Sequence, residues 1–344
     1  MPSFSIIIVS WNALHHLKKY LPSVVATSYS DFEIILADNA SDDGSKAWVR
    51  QQYSEVKIAA LDENYGYCGG NNRAVPHASG EILLFLNNDV RVEPDWLDAL
   101  AECFTDPEVA AAQPRFRSDK QPEYFEYAGA AGGFLDRYGY PFCRGRIFDT
   151  VEKDQGQYDD PRDILWAGGA ALAVRKTIFE EQGGFDEDFE FHMEEIDLCW
   201  RLWNAGHRVR YCPHSIIYHL GGGSLPMESP RKTYYNYRNN LIMLWKNCSA
   251  QTLHRRFWIR YSLDVVAALR SLLRGKWAEC KAIVRAHYHF WQSFGTTRQK
   301  RACLQERRTV KSDPSPLLPV NIIVEYFINQ KRTFDALFSA SEET

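Results

Sequence analysis

Four short apolar runs, at residues 4–9, 33–37, 56–61 and 82–86, alternate with stretches of helical periodicity across the first ninety residues. That alternation restricts the chain to βα units around a parallel sheet. The runs are continuously apolar because a parallel strand covered by helices is buried on both faces. Residues 13–26 read as a helix in spite of Pro22, residues 45–53 as a second with capping residues ahead of it, and residues 71–78 as a short third. The strand ends at Ser10, Asp38, Asn64 and Asn87 then fall on one edge of the sheet. In open α/β sheets ligands bind outside that carboxyl edge.

The rest of the chain changes character twice. Residues 113–165 are rich in glycine and aromatics and read as loops and short strands. From Glu194 to Asn204 the residues Ile196, Cys199, Trp200 and Trp203 mark the core face of a helix that Gly206 ends. Beyond residue 235 the pattern is helical until Pro314, Pro316 and Pro319, which precede a last amphipathic stretch at 321–338. We therefore expect an α/β domain over 1–235, with halves at about 1–112 and 113–235, and a helical region over 236–344. The eight scattered cysteines are expected as reduced thiols. No secretory signal pattern opens the sequence, and no apolar run reaches the roughly 18 residues that span a bilayer.

Five clusters carry candidate chemistry. Asn87-Asn88-Asp89 sets a carboxylate just past a buried strand, where it can hold a hard divalent cation on a diphosphate; an Asx-type turn is the structural alternative. Asp38 is placed to accept from a nucleotide base or ribose, or simply to end its strand. Asn64 to Asn72 is a glycine-rich loop that suits close backbone approach to a ligand, but it matches neither GxGxxG nor a Walker loop. Glu194, Glu195 and Asp197 crowd the start of a helix. Asp197 can pair with Arg201 one turn on, and the crowding raises the pKa of at least one carboxyl towards the range of a general base, for which Glu195 is the candidate. His219 precedes three glycines and is a candidate metal ligand.

In order, the segments 6–12, 38–44, 64–71, 86–89, 166–170 with Arg175, 183–187, 194–198 with Arg201, and His219 with Ser224 resemble the GT-A family 2 glycosyltransferases, in particular the bacterial branch that includes rhamnosyltransferases. The resemblance implies a Rossmann-like, mostly parallel nucleotide-sugar-binding sheet followed by a helical C-terminal region. It implies that Ser10, Trp11, Asp38, Asn64, Gly66 and Asn71 bind the donor nucleotide, with Asn88 and Glu194 among the substrate contacts. It assigns Asp89 and His219 to a Mg²⁺ or Mn²⁺ ion, with Asn87 standing where the family's motif begins with an acid. Glu195 falls at the family's catalytic base, usually an aspartate. The implied reaction is inverting transfer, with dTDP-rhamnose as the guessed donor and a glycan or lipid-linked saccharide as acceptor, in cell-surface polysaccharide synthesis. A binding module that has lost catalysis, or less favourably a metal-dependent nucleotidyltransferase, are the alternatives.

Charge is uneven along the chain. A formal total of −4 hides −12 over residues 1–249, +11 over residues 250–311 and −3 beyond. Residues 250–311 interleave Arg and Lys with Phe257, Trp258, Trp277, Tyr288 and Trp291. Such a segment suits an anionic membrane surface; packing on the core or a homodimer contact are the alternatives. No nucleic-acid motif accompanies it. The expectation is a cytoplasmic protein, peripheral on the inner face of the cell membrane.

Overall fold

The computed structural model describes residues 1–221 and 229–338; Ser224 lies outside the described residues. The first half alternates β1 (Phe4–Ser10), α1 (Leu14–Val25), β2 (Phe32–Asp38), α2 (Ser45–Gln52), β3 (Lys57–Ala60), α3 (Gly66–Ala74), β4 (Ile82–Asn87), β5 (Val90–Val92) and α4 (Trp96–Cys103). Then come β6 (Val109–Ser118), the short strands β7 (Gly133–Leu135), β8 (Pro141–Cys143), β9 (Arg146–Ile147), β10 (Thr150–Val151) and β11 (Arg162–Asp163), β12 (Ala171–Arg175), α5 (Lys176–Glu181), α6 (Glu194–Asn204) and β13 (Arg208–His219). Helices α7 (Pro230–Asn247), α8 (Leu253–Leu273), α9 (Trp277–Gln292) and α10 (Phe294–Glu306) complete the helical region.

The main sheet runs β11-β13-β6-β12-β4-β1-β2-β3, with β5 paired to the end of β13. Strands β1 to β4 are mutually parallel, and β12 is inserted antiparallel between β4 and β6. Successive side chains of each central strand enter opposite layers, which is why 6–9, 34–37 and 82–86 are apolar without interruption. Ile7, Ile35, Leu83 and Phe85 face one core with α3, α6 and α7. Ile6, Ile8, Ile34 and Leu84 face the other, with Leu17 and Leu21 of α1 and Trp96 of α4. Strands β7 to β10 form a separate small sheet.

Three expectations change. Helix α3 begins at Gly66, five residues ahead of Asn71, so the glycine-rich segment is mostly helix. Its glycines serve packing: a Cβ on Gly70 would sit 2.8 Å from the Asn39 amide and 3.0 Å from Val9, and one on Gly69 2.8 Å from the Tyr65 Cβ. Cys103 and Cys212 are joined as a disulfide, whereas all cysteines were expected as thiols; α4 lies along β13 and brings the two together. The stretch 321–338 forms short turns, not a continuous amphipathic helix, and buries Phe334 against Phe134 and Phe142 of the small sheet.

Helix α7 runs through residue 235 and ties the helical region to the first domain. Its Lys246 Nζ lies 2.9 Å from the Asp197 carboxylate, and Asn247 Nδ2 donates to Asp197 Oδ1 at 2.7 Å. Arg201 Nε donates to Asp197 Oδ2 at 2.9 Å and its other nitrogens donate to the Gln182 and Gly184 carbonyls. Asp197 is wholly buried, so it is held by partners from both regions. Removing it leaves the buried Arg201 without a carboxylate and Lys246 with Asp186 alone, and Asp197→Ala is expected to lower the unfolding free energy by about 3–5 kcal/mol in urea denaturation.

Candidate active site

The carboxyl ends of β1, β2 and β4 collect the first residues. Ser10 and Asp38 are buried at neighbouring strand ends, in register with one another. Asp38 Oδ2 accepts from the Ser41 N–H at 3.1 Å and lies 2.9 Å from Lys46 Nζ, while Oδ1 is buried without a partner. Asn39 Oδ1 and Asn71 Nδ2 are also buried and unpartnered. Since α3 packs its Gly70 on Asn39, these atoms line one sheet end, and unsatisfied buried polar groups of this kind are what a ligand satisfies. Trp11 stands exposed beside them, at 56%. The structure gives Asn64 a different contact: its exposed side chain accepts from the Gly66 N–H at 2.9 Å and starts α3, with Gly66 at a φ of +66°.

Asp89 follows β4 and immediately precedes β5, whose pairing with β13 sets Val90 opposite His219. This register brings His219 Nε2 to 3.2 Å from Asp89 Oδ1. On its other side Nδ1 lies 3.3 Å from Glu126 Oε1. Burial opposes charging of this imidazole, but the Glu126 and Asp89 carboxylates outweigh it and raise its pKa to about 10. Burial likewise opposes ionisation of Asp89, and His219 overcomes it, leaving the carboxyl below its ordinary value. Asn88 Nδ2 reaches the Val9 carbonyl and the Ser10 hydroxyl at 3.5 and 3.4 Å, while the Asn87 N–H donates to the Ala170 carbonyl at 2.9 Å. Among the described residues no group of three or more acidic, histidine or cysteine side chains forms a ready-made cage for a metal. One carboxylate and one imidazole would fit a Mg²⁺ or Mn²⁺ ion that takes its remaining ligands from phosphate and water, on condition that binding displaces the proton that Asp89 and Glu126 favour on His219, since only the neutral ring has a lone pair for a metal.

Glu194 and Glu195 open α6 beyond three non-glycine residues of positive φ, Glu190, His192 and Met193. Such backbone strain persists only where the surroundings hold it. Here Asn239 of α7 donates to the carbonyls of Phe189, Phe191 and His192. Burial, reinforced by the Glu195 charge, pushes the Glu194 carboxyl well above its ordinary value. Burial raises Glu195 to about 7. Its Oε2 is buried without a partner, although part of the side chain stays open to solvent. A Cβ on Gly169 would lie 3.8 Å from the Glu195 Cβ and 3.4 Å from the Tyr67 hydroxyl, which donates to the Gly169 carbonyl at 2.8 Å. Gly169 precedes Ala170, the partner of Asn87, so Glu195 stands beside the turn that carries Asp89.

Sequence reasoning missed Glu126 and Tyr67. Glu126 lies in a loop with no periodic signal, and only the β6–β13 pairing brings it to His219. Tyr67 read as part of a glycine-rich loop.

A mostly parallel sheet with unsatisfied polar groups at the end of β2 and on α3, an acid–imidazole pair after β4 and two raised carboxyls at the start of α6 make a candidate nucleotide-binding site. Residues 5–159 match the family model described as "Glycosyl transferase family 2". Residues 5–159 are a domain of that family, and the chain's relatives include rhamnosyltransferases. It is 26% identical over 298 residues to an N-acetylglucosaminyl-diphospho-decaprenol L-rhamnosyltransferase of Mycobacterium tuberculosis, covering 79% of this chain and 95% of that protein. It is 32% identical over 239 residues to the O-antigen biosynthesis protein RfbC of Myxococcus xanthus, covering 68% of this chain but only 18% of that longer protein. Among solved structures it shares the fold of a Pyrobaculum calidifontis mannosyltransferase determined with GDP-Man and Mn²⁺. The TM-score is 0.54 at 15% identity, over 89% of this chain and 86% of that one. The fold is thus GT-A, with a helical C-terminal region.

A carboxyl raised to about 7 from an ordinary 4.5 penalises the folded state once ionised. Below pH 4.5 it is protonated in both states; between 4.5 and 7 the unfolded chain loses the proton first, so stability falls as pH rises. Glu195→Gln removes this penalty. Calorimetric melting is therefore expected to show the variant more stable than the parent at pH 8, with the difference vanishing near pH 4.

Proposed function

We propose that the chain is an inverting glycosyltransferase that moves a sugar from a nucleoside diphosphate donor to a hydroxyl of a glycan or lipid-linked saccharide. The observation that carries the reading is Glu195: a carboxyl raised to about 7, with one buried oxygen that has no partner and a residue that is not fully enclosed. A base of that pKa is half ionised near pH 7, where proton acceptance from an attacking hydroxyl is most effective. Single displacement needs one such base and no carboxylate nucleophile, in contrast to a retaining glycosidase.

The donor's base and ribose occupy the ends of β1 and β2, with Asp38, Asn39 and Asn71 supplying the unsatisfied groups and Trp11 a stacking surface. Gly66 and Asn64 set the start of α3 beside it, and Asn88 holds the Ser10 end. Asp89, with His219 once its ring is neutral, would hold the divalent cation, which would offset charge on the departing diphosphate. Glu194, whose carboxyl burial pushes well above its ordinary value, lies next to Glu195 among the substrate contacts. Support for an L-rhamnosyl donor such as dTDP-rhamnose, and for a lipid-linked acceptor, comes from the name of the mycobacterial relative. Support for the metal comes from the Mn²⁺ in the mannosyltransferase structure.

The test is turnover with a panel of nucleotide sugars and Mg²⁺ or Mn²⁺. Glu195→Gln is expected to cost about 10²–10⁴-fold in turnover while nucleoside diphosphate binding by calorimetry persists. The parent's rate is expected to fall as pH drops below about 7. Undiminished turnover in the variant contradicts the base assignment. Asn87 at the head of the metal motif favours a second reading, a nucleotide-sugar-binding module without catalysis, which predicts binding but no product from any donor.

A further inference from the structure

The helical region leaves one face of α8 and α9 without a partner. On α8, Trp258, Val265, Val266, Leu269 and Leu273 are exposed and recur at i, i+7, i+8, i+11 and i+15, one stripe of the helix. On α9, Trp277, Val284, Tyr288 and Trp291 do the same at i, i+7, i+11 and i+14. The two stripes adjoin. Val265, Leu269 and Val284 line one shallow groove between the helices, and the Trp258 and Trp291 rings lie 6.3 Å apart. At the turn joining the helices, Leu273 is 88% and Trp277 70% exposed, among the most exposed large apolar side chains described. An apolar area of this extent is uncommon on a surface that faces only water.

The charges around the face have one sign. Arg255, Arg270, Arg274, Lys276, Lys281 and Arg285 are exposed on the same two helices. Their acidic residues are Asp264, buried and paired with Arg260, and Glu279, which pairs with Lys276. No described helix is long and apolar enough to cross a membrane. We infer that this α8–α9 face docks on the surface of an anionic lipid bilayer, with the Leu273–Trp277 turn entering the interface and the basic side chains meeting the headgroups. Tryptophan and tyrosine suit that boundary because one part of each ring system is apolar and the other hydrogen-bonds. The face is one helix from the candidate base: His289 of α9 bonds the Tyr234 hydroxyl of α7, and α7 holds the loop before Glu194.

The test is co-sedimentation of the full chain with vesicles, and it needs no enzymatic activity. Binding is expected to phosphatidylglycerol-containing vesicles and not to pure phosphatidylcholine, and to weaken in high salt. The double variant Leu273→Ser/Trp277→Ser is expected to lose about tenfold or more in partitioning. Each of Arg274→Ala and Lys281→Ala is expected to lose roughly fivefold. All of these side chains are exposed, so unchanged melting certifies the fold of each variant. The inference is overturned if the parent ignores anionic vesicles, or if the folded variants bind as well as the parent. It is also overturned if sedimentation velocity shows that the face is covered by a second copy, as a dimer that the double variant disperses.

Discussion

The buried carboxylate of Asp197 is the constraint on which the rest of the site depends. Arg201, Lys246 and Asn247 meet its charge, and two of those three come from a helix that follows the α/β domain. The same cations extend outward: Lys246 reaches Asp186 at 2.5 Å, and Arg201 holds the Gln182 and Gly184 carbonyls. Residues 182–193 are therefore clamped between α6 and α7, in a conformation that includes three non-glycine residues of positive φ, Glu190, His192 and Met193. The helical region is thus a structural part of the catalytic arrangement.

That clamp decides what happens one turn earlier. Asp197 meets Arg201, Lys246 and Asn247; Glu194 and Glu195 receive no cation, and burial drives both towards neutrality. Across the sheet edge the balance is reversed. Asp89, His219 and Glu126 form an acid–imidazole–acid chain in which the two carboxylates favour the charged ring and the ring lowers the pKa of Asp89. One site thereby separates two electrostatic tasks: a proton acceptor poised near neutral pH, and a pair of groups suited to a cation and the anion it accompanies.

Much of this was legible in the sequence where local pattern and tertiary role coincide. Strands β1, β2 and β4 are continuous apolar runs because both faces are covered, so their ends, and hence Ser10, Asp38 and Asn87, could be placed. Asp197 and Arg201 were legible as a helical pair at i, i+4. The beginning of α3 was not, because glycines at 66, 69 and 70 mimic a loop, whereas Gly66 takes a positive φ at the helix start and Gly70 lets the helix approach Asn39 and Val9. Glu126 and the Cys103–Cys212 pairing were not, because each depends on where β13 lies in the sheet. The π turn over Val324–Ile328 and the turns around it owe their shape to the small sheet beneath them, which no periodicity reports.

The basic segment gains a definite form. Charge along the chain indicated a surface-binding region, and the packed helices now show which side chains face outward and which, such as Arg260, are buried and paired inside. An acceptor held at a lipid surface would be presented one helix layer from Glu195. The central claim remains that a single base at Glu195 drives direct displacement at the donor's anomeric carbon. The most direct measurement is the anomeric configuration of the first-formed product by proton NMR, using the donor that the panel selects. The account predicts a product of configuration opposite to the donor's; a product of retained configuration would contradict it.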